Sequence, residues 1–255
     1  AAFASTLEKH VATISNPSER KEKGSMAERI LRKAILRVEE DYANDQDIEN
    51  AQAEAVEEAS RVGQPLTAEQ KQLLDEMRHW AQRAKNQADS KAKAVIEWIE
   101  ANLDAKTQWN DRRVILFTEY RTTHQWLHEI LASHGYGGER LSILHGGMDH
   151  EEREKVKAAF QTSPKDSAVR ILLATDAASE GIDLQNHCNC LIHLEIPYNP
   201  NVMEQRNGRI DRHGQRQKEV LIWHPVDGGQ HAGQIVGGHG DDILRALRKL
   251  ESMRA

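Results

Sequence analysis

The pattern of apolar and polar positions changes character once along the chain. Up to about residue 105 the apolar residues recur at helical spacing. Ile30, Leu31, Ala34, Ile35 and Val38 form one stripe, preceded by Ser25 and Glu28, the pair of a capping box. Leu73, Leu74, Met77 and Trp80 form a second, behind a Thr67–Gln70 box, and Val95, Ile96, Trp98, Ile99 and Leu103 a third. Gly63 and Pro65 punctuate the first two. From Arg113 onward the apolar residues come in short runs instead: VILFT (114–118), LSILH (141–145), VRILLAT (169–175), CLIHLEI (190–196) and EVLIWH (219–224). Helix-like segments separate them, among them HQWLHEILASHG, DHEEREKVKAAFQ and a segment opened by Asn199 and Pro200, a suitable cap and first turn. Strand alternating with helix predicts an α/β fold with a parallel sheet, and near-continuous apolar strands predict burial on both faces.

The organisation expected is therefore threefold. Residues 1–105 form a helical region from which an arm, about 25–90, protrudes as an insertion. Residues 106–226 form the α/β unit. Residues 227–255 are a Gly-rich linker, DGGQHAGQIVGGHG, followed by a C-terminal helix. No Gly-Lys-Ser/Thr stands at the start of that helix, so the glycines read as a linker and not as a phosphate loop.

Charge sharpens this picture. The net charge of −6 conceals two opposed segments. Nine acids and no Lys or Arg lie between Glu39 and Glu58, whereas five cations stand against Asp211 alone between Arg206 and Lys218. The acidic stretch is a solvated helix or a mobile arm. It would repel DNA, so a protein partner or an autoinhibitory cover over a basic groove is expected for it. No apolar run is long enough to span a bilayer and no secretory pattern opens the chain. The only cysteines, Cys188 and Cys190, are too close in one extended run for an ordinary disulfide, which points to a reducing, cytoplasmic setting. His187, Cys188, Cys190 and His193 lack zinc-site spacing and read as strand residues with buried free thiols.

In parallel sheets, sites form at the carboxyl ends of the strands. FTEYR, HGGM, ATDAASEG and EIPYNP all occupy those positions. The segment EQRNGRIDRHGQ (204–215) adds Arg209 and Arg212, three residues apart and so on one face of a helix expected to run to about His213. Gly208 would then lie in its interior, at a cost of roughly 1 kcal/mol against Ala, and leave a gap through which something approaches the backbone. Two guanidinium groups suit a polyanion such as a triphosphate. The plain alternative is a solvated basic face paired to Glu204 and Asp211.

Gln205-x-x-Gly208-Arg209-x-x-Arg212 resembles the last motif of superfamily-two helicases and translocases, and its extension through His213-Gly214-Gln215 is similar to Swi/Snf-type ATPases, including bacterial members. ATDAASEGIDLQ (174–185), VILFTEYRTT (114–123) and LHGGMDHEER (144–153) resemble the other motifs of the second RecA-like lobe, in the family's order over residues 113–225. The resemblance implies a RecA-like C-terminal lobe that uses ATP and Mg²⁺ and translocates on double-stranded DNA. Arg209 and Arg212 would be arginine fingers. Gln205 and Gly208 would belong to the same nucleotide wall, with Gly181 and with Asp183 either near the ribose or holding a finger arginine. Thr118, Arg121, His145, Gly146, Thr175 and Ser179 would face the nucleic-acid backbone, where hydroxyls and N–H groups suit phosphate contacts. Each has a plainer reading beside it: Asp183 as a turn cap, Thr118 and Thr175 as ordinary strand ends, His145 as a packed turn histidine.

One departure from the family decides the mechanism expected. No Gly-x-x-x-x-Gly-Lys-Ser/Thr and no Asp-Glu-x-His occurs, the nearest string being LDEMRH (74–79). The phosphate cradle and the Mg²⁺-holding acid would come from a first lobe of the same protein, and this chain alone would not hydrolyse ATP. An RNA helicase of superfamily two is the rival enzyme, and a binding or scaffold module without ATP chemistry the rival from another class.

Overall fold

The computed structural model describes residues 4, 7, 8, 11, 12, 66–106, 108–176, 182–197 and 200–225, with the backbone of 230, 231, 234 and 235. The Ser25–Glu28 box, the acidic stretch 39–58, Asn199 and the expected C-terminal helix lie outside the described residues.

Five strands build one parallel sheet: β1 Val114–Thr118, β2 Leu141–Leu144, β3 Ile171–Thr175, β4 Cys190–His193 and β5 Leu221–Trp223, in the spatial order β2-β3-β1-β4-β5. β1 is central, and every one of its residues is buried. Its side chains alternate between two cores, as strand geometry requires. Val114 and Leu116 join Ile171, Leu173, Cys190 and Ile192 on one face. Ile115 and Phe117 join Leu172, Ala174 and Leu191 on the other.

Helices close both faces. The first core is covered by α2 (Ser90–Leu103) and α3 (Arg121–Ser133). α2 starts where the Asp89 carboxylate accepts the Ala92 N–H at 2.8 Å, and it ends at Asp104, whose φ of 53° is left-handed. Its buried side, Ala92, Val95, Ile96, Ile99 and Leu103, packs into the sheet, so the α/β core already includes Ser90–Leu103. The second core takes Phe160 from α4 (His150–Gln161), which is capped by Asp149, together with Ile182, Leu184 and Ile210. α5, Pro200–Asn207, follows β4.

The helix α1, Ala68–Ala84, carries the complete Thr67–Gln70 capping box that the sequence predicts. Its expected apolar stripe is another matter. The helix turns Ala81 and Leu74 toward Ala4 and Leu7, which leaves Leu73, Met77 and Trp80 exposed. LDEMRH lies within this helix. In the Gly-rich tail, where a linker is expected, Gln230–His231 (β6) pairs antiparallel with Gln234–Ile235 (β7).

The amino-terminal edge of the sheet buries two arginines. Arg113 is 0% exposed; it donates to the carbonyls of Val169 (3.0 Å) and Thr162 (2.6 Å) and lies over the Phe160 ring. Burial pulls its guanidinium down to about 10, with neighbouring Arg170 acting in the same direction. These are structural cations, held by main-chain carbonyls at the end of the sheet opposite the candidate site.

Candidate nucleotide and nucleic-acid surfaces

The carboxyl ends of the strands converge on a polar cluster. β1 leads into Glu119, β3 into Asp176 and β4 into Glu195. Above them lies α5, and the side chain that joins all three strand ends is Arg206. Arg206 is only 1% exposed. Its Nε and Nη2 donate to the two oxygens of Asp176 at 2.5 and 2.6 Å, and its Nη1 donates to the Glu195 carbonyl at 2.9 Å. The guanidinium also lies over the Phe117 ring, 5.4 Å from its centre.

His193, the last residue of β4, completes the cluster. Its Nε2 lies 2.9 Å from Asn207 Oδ1 and its Nδ1 lies 3.4 Å from Arg206 Nη1. Arginine can only donate, so Nδ1 accepts and Nε2 carries the proton, donating to Asn207. Burial, followed by the charge of Arg206, pulls this imidazole down to about 4, so it is neutral near pH 7. Burial pushes the carboxyls of Glu119 and Glu195 up, against the pull of Arg206.

Arg209 and Arg212 follow directly. α5 ends at Asn207, six residues short of the expected His213, and the chain continues as tight turns: Arg209 N–H to Arg206 O (3.1 Å), Ile210 N–H to Asn207 O (3.1 Å) and Gln215 N–H to Arg212 O (3.1 Å). Gly208 therefore follows the helix and does not interrupt its interior, and the glycine cost expected there does not arise. Its N–H still reaches Glu204 O at 2.9 Å, and a Cβ on Gly208 would stand 3.3 Å from that same oxygen, with no atom from elsewhere in the fold nearby.

Two contacts fix the turn. Ile210 is 0% exposed and enters the core beside Ile182 and Leu184. The Leu184 N–H donates to Arg209 O at 3.1 Å. With Ile210 buried, Arg209 is held half-buried and Arg212 exposed. Arg212 Nη1 donates to the Asp183 carboxylate. Gln205 is exposed on α5. Gly181 and Ser179 lie outside the described residues.

The residues expected to meet nucleic acid divide. Arg121, at the start of α3, reaches His145 at the end of β2, Nη1 to Nδ1. The His145 ring stands edge-on to His124, 5.6 Å between centres, and His124 Nε2 is bonded to Leu173 O. Gly146 is half-buried, and a Cβ on Gly147 would come within 3.1 Å of Arg121 Nη1, so the arginine lies along the glycine turn. Thr118 and Thr175 need correcting. They face each other in the β1–β3 register and both are 0% exposed, because the strands stay inside the sheet up to their last residue. Their hydroxyls present nothing to a polyanion at the surface.

Arg206 also needs correcting, since its charge is spent inside the fold and not on a basic patch. A signal for this was present in the sequence. Met203, Arg206, Asn207 and Ile210 recur at helical spacing, which places Arg206 on the apolar side of α5. Asp176, its partner, is the first residue after a fully buried strand. The thiols are engaged as well: Cys188 Sγ donates to Arg113 O at 3.4 Å, and burial pushes it up to about 12.

Residues 90–214 match the family described as the helicase conserved C-terminal domain. This part of the chain is a helicase C-terminal domain. The chain is 37% identical over 135 residues to "Uncharacterized ATP-dependent helicase YqhH" of Bacillus subtilis (strain 168), a match that covers 53% of this chain and 21% of that protein. This chain thus spans about a fifth of that relative's length. Among solved structures, the C-terminal part of the Fun30 ATPase domain overlaps at a TM-score of 0.46 with 16% identity, covering 87% of this chain and 73% of that one. The yeast DEAD-box splicing factor Prp28 overlaps at 0.45 with 23% identity, covering 62% of this chain and 29% of that one. At those scores neither carries an argument about this helicase domain. No helix among the described residues is long and apolar enough to cross a membrane.

Proposed function

We propose that this chain is the second RecA-like lobe of a superfamily-two, Swi/Snf-type ATPase that translocates on double-stranded DNA in the cytoplasm of a bacterium. Arg209 and Arg212 serve as its arginine fingers. The observation that carries the reading is the turn at 208–212: Ile210 is locked into the core while Arg209 beside it is half-buried and Arg212 is exposed. Gln205 and Gly208 belong to the same wall, and Asp183 holds Arg212 until a γ-phosphate replaces it. Arg121, His145 and Gly146 form the surface for the nucleic-acid backbone.

The donor set fits the triphosphate and leaves the metal to the other lobe. Forked cations suit phosphate oxygens. Among the described residues no group of three His, Cys, Asp or Glu could hold a metal ion. In this reading a first lobe carrying the phosphate loop and the Asp-Glu-x-His acid would supply the Mg²⁺ ligands and the phosphate cradle. ATP supplies the phosphoryl transfer. This chain's own part is to bring positive charge to the developing transition state and to exclude water as the lobes close.

The test uses the full-length protein. Arg209→Ala and Arg212→Ala are each expected to lower nucleic-acid-stimulated ATPase turnover by about 10³-fold or more. Near-normal turnover in both would remove the finger assignment. Stimulation by duplex DNA and not by RNA is expected, and the reverse would identify an RNA helicase. The acidic stretch 39–58 is proposed to contact a protein partner or to cover the basic groove. Unchanged partner binding and unchanged basal ATPase after its deletion would dispose of both ideas.

A further inference from the structure

Arg206 contributes nothing to the surface, yet it makes a dense set of directed contacts inside the fold. A forked, two-bond pair to Asp176, a bond to the Glu195 carbonyl, a contact with His193 Nδ1 and a stacked Phe117 leave the guanidinium one orientation. Such geometry is strongly directional, because two parallel N–H···O bonds fix the plane as well as the distance. Arg206 stands one turn before Arg209 on α5, and its carbonyl accepts the Arg209 N–H at 3.1 Å. Whatever sets Arg206 therefore sets the start of the finger turn.

The other end of the connection matters equally. Asp176 is the residue at which the chain leaves β3. Eight positions later, Leu184 N–H donates to Arg209 O. Asp176 and Leu184 are thus each fastened to α5 or its turn, the first by the carboxylate clamp and the second by a main-chain bond. We infer that Arg206 is a positioning residue: with Asp176 it forms a clamp that fixes the start of the Arg209–Arg212 turn against the exit of β3 and makes that turn follow it. This deepens the proposed function and rests on its finger assignment.

Simple stabilisation is a poor account of the same contacts. Taking the Arg206 guanidinium out of water is expensive, and an ion pair of this kind, whose Asp176 side chain keeps 31% of its surface exposed, often contributes little net stability over an apolar replacement. What the pair does supply is a unique geometry. The finger role demands one, since a displacement of about 1 Å at a positioned catalytic group can lower turnover about 10²-fold.

The experiment compares Arg206→Lys, Asp176→Asn and Asp176→Glu with Arg209→Ala in the full-length protein. Turnover, KM for ATP, nucleic-acid affinity and the thermal midpoint are measured for each. Lysine keeps the charge but loses the fork, and Asp176→Glu keeps the pair but lengthens one arm by a methylene. All three clamp variants are expected to lower kcat about 10- to 100-fold per folded molecule, with KM for ATP and nucleic-acid affinity within about 3-fold of the parent. The Arg206→Lys/Asp176→Asn double variant should be no worse than the poorer single one, since both break one clamp. Clamp variants that keep kcat within 3-fold, or that lose folding and not turnover, overturn the positioning role while Arg209→Ala still abolishes activity. If Arg209→Ala itself turns over normally, the finger reading has failed instead.

Discussion

Ile210 and the pair Arg212–Asp183 show how unequally neighbouring residues contribute. The ion pair is exposed, with 45% and 52% of the two side chains open to solvent. Pairs of that kind contribute about 0–1 kcal/mol, since water screens them and two long side chains lose freedom in making them. Ile210 has no exposed surface. Truncating a buried isoleucine typically costs about 2–5 kcal/mol, the lost transfer energy plus the cavity left behind. Ile210→Ala should therefore lower the unfolding free energy by about that amount, read from the midpoint of a urea titration of the chain. Asp183→Ala should move it by less than about 1 kcal/mol. The reverse order would mean that the finger turn is held by charge and not by burial, and Asp183 would lose its reading as a temporary partner for Arg212.

Two helices with similar caps make a controlled comparison at the next scale. Thr67 accepts the Gln70 N–H at 3.2 Å at the start of α1, and Asp89 accepts the Ala92 N–H at 2.8 Å at the start of α2. Losing such a cap costs about 1 kcal/mol of helix stability. α2 delivers five buried residues to the sheet core, whereas α1 buries Ala81 alone. Asp89→Ala should thus destabilise the whole fold by about 1 kcal/mol, while Thr67→Ala should leave the global midpoint nearly unchanged and raise hydrogen exchange only within 68–84. Equal effects would mean that α1 is integral to the core. The same contrast explains what the sequence makes legible. The inner strands β1, β3 and β4 are plain because each run is buried on both sides. The burial expected for the edge run at β5 fails, with Leu221 and Ile222 exposed where no further strand covers them among the described residues. The strand–helix alternation leaves few arrangements for all five. The outward turn of Leu73, Met77 and Trp80 is not legible, since periodicity shows that a stripe exists but not what it meets. Nor is the early end of α5, which depends on Ile210 finding the core. The burial of Thr118 and Thr175 likewise depends on how far the neighbouring strands extend. Arg209, Arg212 and Asp183 were visible as a motif. The Arg206–Asp176 clamp crosses 30 residues of sequence and becomes visible only when the strand ends come together.

For the molecule as a whole, the buried rim cluster makes stability depend on pH in a direction that can be worked out. His193 is held down to about 4, from an ordinary value of 6.5, by burial and by Arg206. A histidine depressed in the folded state binds protons more readily when unfolded, so stability is full above about pH 6.5 and declines as pH falls toward 4. His187 and His224 are lowered by burial too and act in the same sense. Glu119 and Glu195 oppose them. Their carboxyls are raised, so the folded state takes up protons ahead of the unfolded one as pH falls toward and below the upper carboxylate range, which returns some stability at the acid end. His193 alone accounts for about 2 kcal/mol of lost stability at pH 5. Urea titrations of the chain at pH 7.5, 6 and 5 should show unfolding free energy falling as pH drops, with the His193 contribution partly offset by Glu119 and Glu195. His193→Gln, which removes the titration and keeps an N–H for Asn207, should flatten most of the slope. A parent protein equally stable at pH 7.5 and 5 would show that His193 takes its proton without breaking the contact with Arg206. The Nε2–H tautomer, and the closed network built on it from β4 through Arg206 to Asp176, would then be wrong.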